Sequence, residues 1–130
     1  MIRAQLSIAA LAVFLAAPLA AEPWKEVAQL PGGIVVAIDE ASVADAMDGT
    51  DTVKQATFRR EMPTGPMETD ISVNCDKQLS RIRGVRLVGG GQVYRQQVPP
   101  TAGFTPVRDG SSEAIYFKAL CGRDVSLEGE

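Results

Sequence analysis

The sequence predicts an α+β fold: an antiparallel β-sheet of five or six strands, one C-terminal helix packed on it, and a strand-to-helix disulfide. Three observations predict this fold. Short apolar and β-branched runs, separated by Pro, Gly and Asp turns, fill the chain from Trp24 to Val98. Only one later segment, Ser111 to Cys121, has helical spacing. The chain has 130 residues and two cysteines, which suits a single small domain closed by one cross-link.

Residues 1–21 are predicted to be a secretory signal peptide, and residues 22–130 a single domain. Arg3 supplies the positive start, Leu6 to Leu19 is apolar except for Ser7, and Ala20 and Ala21 follow. A helix over this apolar run is about 21 Å long at ~1.5 Å per residue, shorter than the roughly 30 Å hydrocarbon core of a bilayer. We therefore expect no membrane span. No cysteine lies at the cleavage site, so we expect no lipid anchor, and a periplasmic or secreted product.

The first predicted elements form a hairpin and a connection. Trp24 to Leu30 and Gly33 to Ile38 are predicted to be two strands that pair around the turn at Pro31-Gly32. Ala41 to Met47 fits either one helical turn or an irregular connection. Asp48-Gly49 is a turn signal that leads into the next strand.

Two longer strands are predicted next. Asp51 to Met62 is the first, and Met62 to Pro66 is predicted to be a loop, because proline cannot donate a hydrogen bond to a sheet. Glu68 to Asp76 alternates apolar and polar residues with a period of two. This alternation places Ile71 and Cys75 on the same, buried face.

The last strands lie around a run of glycines. Arg81 to Val88 is predicted to be a strand with imperfect alternation, which a β-bulge at Gly84 corrects by shifting the phase by one residue. Gly89 to Gly91 is predicted to turn into a strand over Gln92 to Val98. Pro99 to Pro106 is predicted to be an extended connection.

The helix is predicted over Ser111 to Cys121. Asp109 or Ser111 can cap its start, and Gly122 can end it. Its apolar face, which must lie on the sheet, consists of Ala114, Ile115, Phe117, Leu120 and Cys121. This packing brings Cys121 toward Cys75, and in an oxidising compartment the two are expected to form a disulfide. With no C-x-x-C motif, the pair is predicted to be structural rather than redox-active.

Positive charge is concentrated in the middle of a net acidic chain. The formal net charge is −3, yet Lys77 to Arg108 contains six basic residues and no acidic one. Three arginines of one strand, Arg81, Arg83 and Arg86, are the candidate residues for binding an anion or a partner, since guanidinium groups suit phosphate and carboxylate. The alternative is internal: opposite charges on neighbouring strands of the sheet pair with one another.

Several chemistries are disfavoured by composition. The chain has no histidine, which removes Ser-His-Asp and Cys-His sites and imidazole zinc sites. Asp45, Asp48 and Asp51 do not fit the spacing of an EF-hand loop, and Gly89 to Gly91 lacks the Lys-Ser/Thr of a phosphate loop. We therefore expect no catalytic residue, metal or cofactor. A nucleic-acid partner is not expected for a net acidic exported chain.

The segments ISVNCDKQLSRIRGVRL and GGGQVY, with Trp24, Pro99-Pro100 and the closing ALCG, resemble the surface-adhesin protein E-like domain family. The resemblance covers roughly Trp24 to Gly122. It implies an exported, non-enzymatic sheet domain with a helix packed on it and a strand-to-helix disulfide. The founding member of the family is an outer-membrane lipoprotein that binds host matrix proteins and can dimerise. This chain lacks the lipobox cysteine of that lipoprotein.

The function expected from the sequence is that of a non-enzymatic binding or structural module of the bacterial envelope, adhesin-like in fold. Its partner is expected to be a protein or an anionic envelope component, and a homodimer is allowed because an open sheet has unpaired edges. The alternative is a small envelope hydrolase that uses a pair of carboxylates.

Overall fold

The computed structural model of the chain describes residues 24–89, 92–97 and 102–126. Most of them form one antiparallel sheet, and a single helix packs on it. The strands and the helix are β1 (Trp24–Leu30), β2 (Ile34–Asp39), β3 (Ala44–Asp48), β4 (Asp51–Met62), β5 (Gly65–Asn74), β6 (Leu79–Gly89), β7 (Gln92–Gln97), β8 (Thr105–Pro106) and α1 (Ser112–Cys121). The predicted signal peptide, the tip of the glycine turn and residues 98–101 lie outside the described residues.

The sheet is a meander in the order β1-β2-β4-β5-β6-β7. The predicted antiparallel sheet with one C-terminal helix is confirmed, but its strands number eight within the described residues rather than five or six. The two additional strands are short: β3 pairs with the first half of β4, and β8 pairs with the start of β6. Because β3 (ADAMD) has little apolar alternation, only its pairing with the longer β4 makes it a strand.

The first hairpin forms as predicted. β1 pairs with β2 from Trp24 opposite Asp39 to Leu30 opposite Ile34. Its turn needs glycine, since Gly32 and Gly33 have φ values of 87° and 80°, a region that side chains with a Cβ rarely adopt. After β2, a single 3-10 turn over Glu40–Ser42 leads into β3. Most of Ala41 to Met47 is therefore a strand, so the prediction of a helical turn or an irregular connection there was wrong.

The loop predicted for Met62 to Pro66 is shorter than expected. β5 already begins at Gly65, and Met62 lies opposite Gly65 across a tight hairpin. Pro66 is accommodated in a strand because the pairing of β5 with β6 begins only at Met67. The missing N–H group of proline therefore falls beyond the end of that ladder.

The predicted bulge in β6 is confirmed. Asp70 lies opposite Gly84 while the next residue of β5, Ile71, lies opposite Ile82, so Arg83 is an additional residue on β6. The shift lets Ile82 and Val85 share the side of the sheet that faces α1 even though their spacing is odd.

The core lies between the sheet and α1. Ser111 caps the helix by accepting a hydrogen bond from the Ala114 N–H at 3.2 Å, and Gly122 ends it in the left-handed conformation. Tyr116 stacks on Phe58 at a ring-centroid distance of 4.3 Å. The buried cluster consists of Val36, Ile38, Ala56, Phe58, Ile71, Val73, Val107, Tyr116 and Phe117.

Two further contacts fix the helix on the sheet. The Cys75–Cys121 disulfide is present, with Cα atoms 5.7 Å apart, as predicted. Arg60 of β4 reaches the same side of the sheet and donates from Nη2 to Ser112 Oγ at 2.7 Å and to Tyr116 Oη at 3.3 Å. Both ends of α1 are therefore tied to the sheet, one by a covalent bond and the other by an arginine.

Candidate functional site

The side of the sheet that faces away from α1 is the candidate site, and we call it the arginine face. Arg59, Glu68, Arg86 and Arg95 lie in one row across β4, β5, β6 and β7. Arg81 lies in another row, opposite Ser72. The arginine face is thus defined by five arginines: Arg59, Arg81, Arg83, Arg86 and Arg95.

Arg86 is bound to two carboxylates of β5. Its Nη1 and Nη2 donate to the two oxygens of Asp70 at 2.8 and 3.1 Å, and its Nε donates to Glu68 Oε1 at 3.1 Å. Thr57 Oγ1 donates a further hydrogen bond to Asp70 at 2.6 Å. For Arg86, the internal alternative of the sequence analysis therefore holds: its guanidinium is neutralised within the sheet.

The protonation of this pair follows from these contacts. Burial raises the pKa of Asp70, but hydrogen bonds from Arg86 and Thr57 outweigh it and leave that pKa below the ordinary value of 3.8. The hydrogen bonds to Asp70 and Glu68 raise the pKa of Arg86 further above its ordinary value, against the opposing effect of burial. The pair is therefore fully ionised at neutral pH.

Arg83 is placed differently from Arg86. As the additional residue of the bulge, it lies close enough to Asp70 for its charge to help lower the pKa of that carboxyl. No ion pair joins it to a carboxylate among the described residues, and its buried Nε has no hydrogen-bond partner there. The charge of Arg83 is thus left without a paired carboxylate among the described residues.

Arg95 was not selected from the sequence. It lies directly opposite Arg86 on β7, its side chain is exposed, and within the described residues it takes part in no ion pair. The signal that could have found it is the register of the β6–β7 hairpin, which places Arg95 beside Arg86 on the same side of the sheet.

Arg59 extends the row toward the first strand. Its guanidinium lies 5.5 Å from the ring of Trp24 and its Nε lies 3.1 Å from Glu61 Oε1. A shallow depression of about 320 Å³ is lined here by Trp24, Arg59 and Glu61, together with residues of β1 and β2. The row of charges therefore ends at an aromatic ring.

Strands β4 to β7 carry an excess of positive charge on the arginine face, although the chain is acidic and Glu26 of β1 lines the depression beside Arg59. On strands β4 to β7, its five arginines face Glu61, Glu68 and Asp70, and a fourth carboxylate, Asp51, is bound by Lys77 at 2.8 Å at the far end of β4. The formal net charge of the whole chain is −3. A local excess of positive charge attracts anions to this side of the molecule.

The described residues offer little to a hydrolase or a metal. Asp48 and Asp51 lie opposite each other at the turn between β3 and β4, where Asn74 and Lys77 bind Asp51. Glu68 and Asp70 also converge, but both bind Arg86, and Asp70 has a lowered pKa. A glycosidase acid needs a raised pKa, so this pair is unsuited to that role. In the part of the chain described, no three Asp, Glu, Cys or His residues group closely enough to hold a metal ion.

Comparison with known proteins leaves the function to be argued from this geometry. No protein-family model matches the chain, and no curated protein or solved structure matches it. Within residues 24–89, 92–97 and 102–126, no helix has the length and apolar character required to cross a membrane.

Proposed function

We propose that this protein is an exported, non-enzymatic binding module of the bacterial envelope that holds an anionic partner on its arginine face. The observation that carries the proposal is the excess of arginine on one side of the sheet, with Arg83 and Arg95 outside every ion pair of the described residues. The signal peptide read from residues 1–21 supports export, and the disulfide suits an oxidising compartment.

The resemblance to the surface-adhesin protein E-like family supports a binding role on this fold, including an adhesin-like one. The partner chemistry we propose is a surface that repeats phosphate or carboxylate groups, such as the phosphates of lipopolysaccharide or an acidic polysaccharide. Arg86, locked by Asp70 and Glu68, holds the strand that presents Arg83, while Arg83 and Arg95 contact the anion.

The test is binding of the chain without residues 1–21 to immobilised lipopolysaccharide and to alginate at low and high salt. We expect Arg83→Ala/Arg95→Ala to weaken binding about tenfold or more, because two charge-assisted contacts are lost. The unfolding free energy should change by less than about 1 kcal/mol, because Arg95 is exposed and the buried Nε of Arg83 has no hydrogen-bond partner to lose. Raising the salt from 0.1 M to 1 M, which shortens the Debye length from about 10 to 3 Å, should abolish the difference.

The matched control is Arg108→Ala/Lys25→Ala, which removes the same charge away from the arginine face. This variant should bind as the unchanged protein does. Equal weakening in both variants would show that only net charge matters. Unchanged binding in Arg83→Ala/Arg95→Ala would refute the proposed site.

A further inference from the structure

Three hairpin connections lie side by side at one end of the sheet. They join β1 to β2, β4 to β5 and β6 to β7, and all of them come after the row that contains Arg59, Arg86 and Arg95. We call the part of the sheet beyond that row the turn end. Its described residues are 28–36, 60–67, 87–89 and 92–94.

The turn end is almost free of available charge. Within its described ranges, the charged residues are Arg60 and Glu61. Arg60 is directed at α1, where it donates to Ser112 and Tyr116, and Glu61 is paired with Arg59 at 3.1 Å. The remaining residues of these ranges are apolar, glycine, proline, threonine, glutamine or tyrosine.

The row that borders the turn end contributes positive charge. It contains Arg59, Arg86 and Arg95 against Glu26 and Glu68. Glu68 is bound to Arg86, whereas Arg95 is exposed and takes part in no ion pair with a described residue. A cation is therefore available directly beside the uncharged turn end.

The opposite end of the sheet has the opposite sign. Around the turns that join β3 to β4 and β5 to β6, four carboxylates accompany two ammonium groups. These residues are Asp45, Asp48, Asp51 and Asp76 with Lys54 and Lys77. An anionic surface is therefore attracted toward the turn end and repelled by the opposite end.

Exposed apolar side chains are present at both ends. Among the described residues, Leu87 is 43% exposed and Val93 is 52% exposed at the turn end, and Val43 and Met47 are 42% and 65% exposed near the opposite end. Met47 directly precedes Asp48, so its surroundings are acidic. Apolar exposure is combined with positive charge at the turn end alone.

The two exposed side chains of the turn end lie on different sides of the sheet. Leu87 lies opposite Met67, in the row of Arg60, which faces α1, whereas Val93 shares the arginine face with Arg95. A folded protein that docked on one side of the sheet would leave one of them in water. A lipid surface can surround both sides of a hairpin that extends beyond its neighbour, and the β5–β6 pairing ends at Leu87 while the β6–β7 pairing continues.

We propose that the turn end docks on an anionic lipid bilayer, with Leu87 and Val93 among the headgroups and Arg95 beside the phosphates. Apolar burial and attraction between cations and anionic lipids both contribute to binding at such an interface. The proposal does not depend on the function proposed for the arginine face, although Arg95 belongs to both surfaces.

Co-sedimentation with lipid vesicles tests the proposal. The chain without residues 1–21 is mixed with vesicles of phosphatidylcholine alone and with vesicles that also contain phosphatidylglycerol. We expect binding about tenfold or more tighter to the anionic vesicles, and we expect 1 M salt to remove this preference. Equal affinity for both vesicles at low salt, or no binding to either, would overturn the proposal.

A pair of matched variants locates the docking surface. Leu87→Gln/Val93→Thr should weaken binding to the anionic vesicles about tenfold, because less apolar surface is buried. The control Val43→Thr/Met47→Gln makes the same kinds of change at the acidic end and should bind as the unchanged protein does. Melting temperatures of both variants verify the fold. Equal weakening in the two would contradict docking through the turn end.

Fluorescence distinguishes penetration from adsorption. Trp24 is the single tryptophan of the chain and lies opposite Asp39, away from the turn end. In Leu87→Trp, the added emission should shift to shorter wavelength on anionic vesicles and be quenched by lipids brominated on their acyl chains. Met47→Trp should show neither change. Absence of quenching in Leu87→Trp would refute the placement of this residue.

Charge variants and a soluble polyanion separate this proposal from the previous one. Arg95→Gln should weaken binding to anionic vesicles about fivefold and leave binding to neutral vesicles unchanged. Leu87→Gln/Val93→Thr should bind alginate as the unchanged protein does, since alginate has no lipid phase. Loss of alginate binding in that variant would contradict a separate docking surface, whereas normal vesicle binding without any alginate binding would refute only the function proposed for the arginine face.

Discussion

At the scale of single residues, the Asp70–Arg86 pair shows how the basic segment is used. Nε, Nη1 and Nη2 of Arg86 donate hydrogen bonds to Glu68 and Asp70. Because these donors are used within the sheet, Arg86 is the arginine least able to bind a partner. Arg83 and Arg95, by contrast, have guanidinium groups that the described carboxylates leave unpaired. Position in the register, rather than residue type, decides which arginine is structural.

The Asp70–Arg86 pair predicts a pH-dependent stability. Because the pKa of Asp70 is below 3.8 in the folded protein, its stabilising contribution is present above its unfolded pKa and is lost as pH falls through its folded pKa. Asp70→Asn should therefore lower the unfolding free energy by about 1.5–3 kcal/mol at pH 7. The difference from the unchanged protein should shrink below about pH 4, as chemical denaturation at several pH values would show.

The control for this prediction is Asp45→Asn. Asp45 is paired with Lys54 at 3.2 Å, but 67% of its side chain is exposed, so its loss should change stability by less than about 1 kcal/mol. A loss from Asp70→Asn that is no larger than that of Asp45→Asn would contradict a stabilising role for the pair.

At the scale of elements, the bulge in β6 matters most. Arg83 is the additional residue, and it lets Ile82 and Val85 both face α1 while Arg81 and Arg86 both face away. If one residue is deleted to remove the bulge, the side chains on both sides of it keep their faces only when the deleted residue is Arg83.

Two single-residue deletions test the bulge. Deleting Arg83 should leave a regular strand and a folded protein whose melting temperature falls by less than about 10 °C, roughly 1–2 kcal/mol for a domain of this size. Deleting Arg81 should flip Leu79 and Ser80 to the wrong faces and cost more, because a slip of one residue exchanges the two faces. Thermal melts followed by circular dichroism compare them, and equal losses would show that the additional residue is not Arg83.

At the scale of the whole molecule, few contacts hold α1 to the sheet. Phe117 and Tyr116 bury their side chains there, Arg60 binds its first turns, and the disulfide closes its end. Beside the disulfide, Arg123 donates to the Cys75 carbonyl at 2.6 Å and lies 5.1 Å from the ring of Phe117. The same cross-link keeps the end of α1 in place on the sheet.

Reduction of the disulfide should therefore destabilise the fold. We expect a loss of about 2–5 kcal/mol of unfolding free energy, since the bridge closes a loop over a sequence separation of 46. The melting temperature should fall by at least about 8 °C. Cys75→Ser/Cys121→Ser should show the same lowered stability without reductant and no further change with it. A protein that melts identically with both thiols free would contradict this assignment.

The sequence by itself determined the class of the fold, the main strands, the helix with its Ser111 cap and Gly122 end, the bulge and the disulfide. These depend on local preferences and on alternation, which neighbouring residues encode. The strands β3 and β8 could not be predicted from the sequence, because they form only by pairing with a longer partner strand. Pro66 could be part of β5, contrary to the predicted loop, because the pairing with β6 begins only at Met67. Which arginines are paired depends on residues far apart in sequence. Only the tertiary structure decides this pairing, because the distances between such residues are set by register and packing.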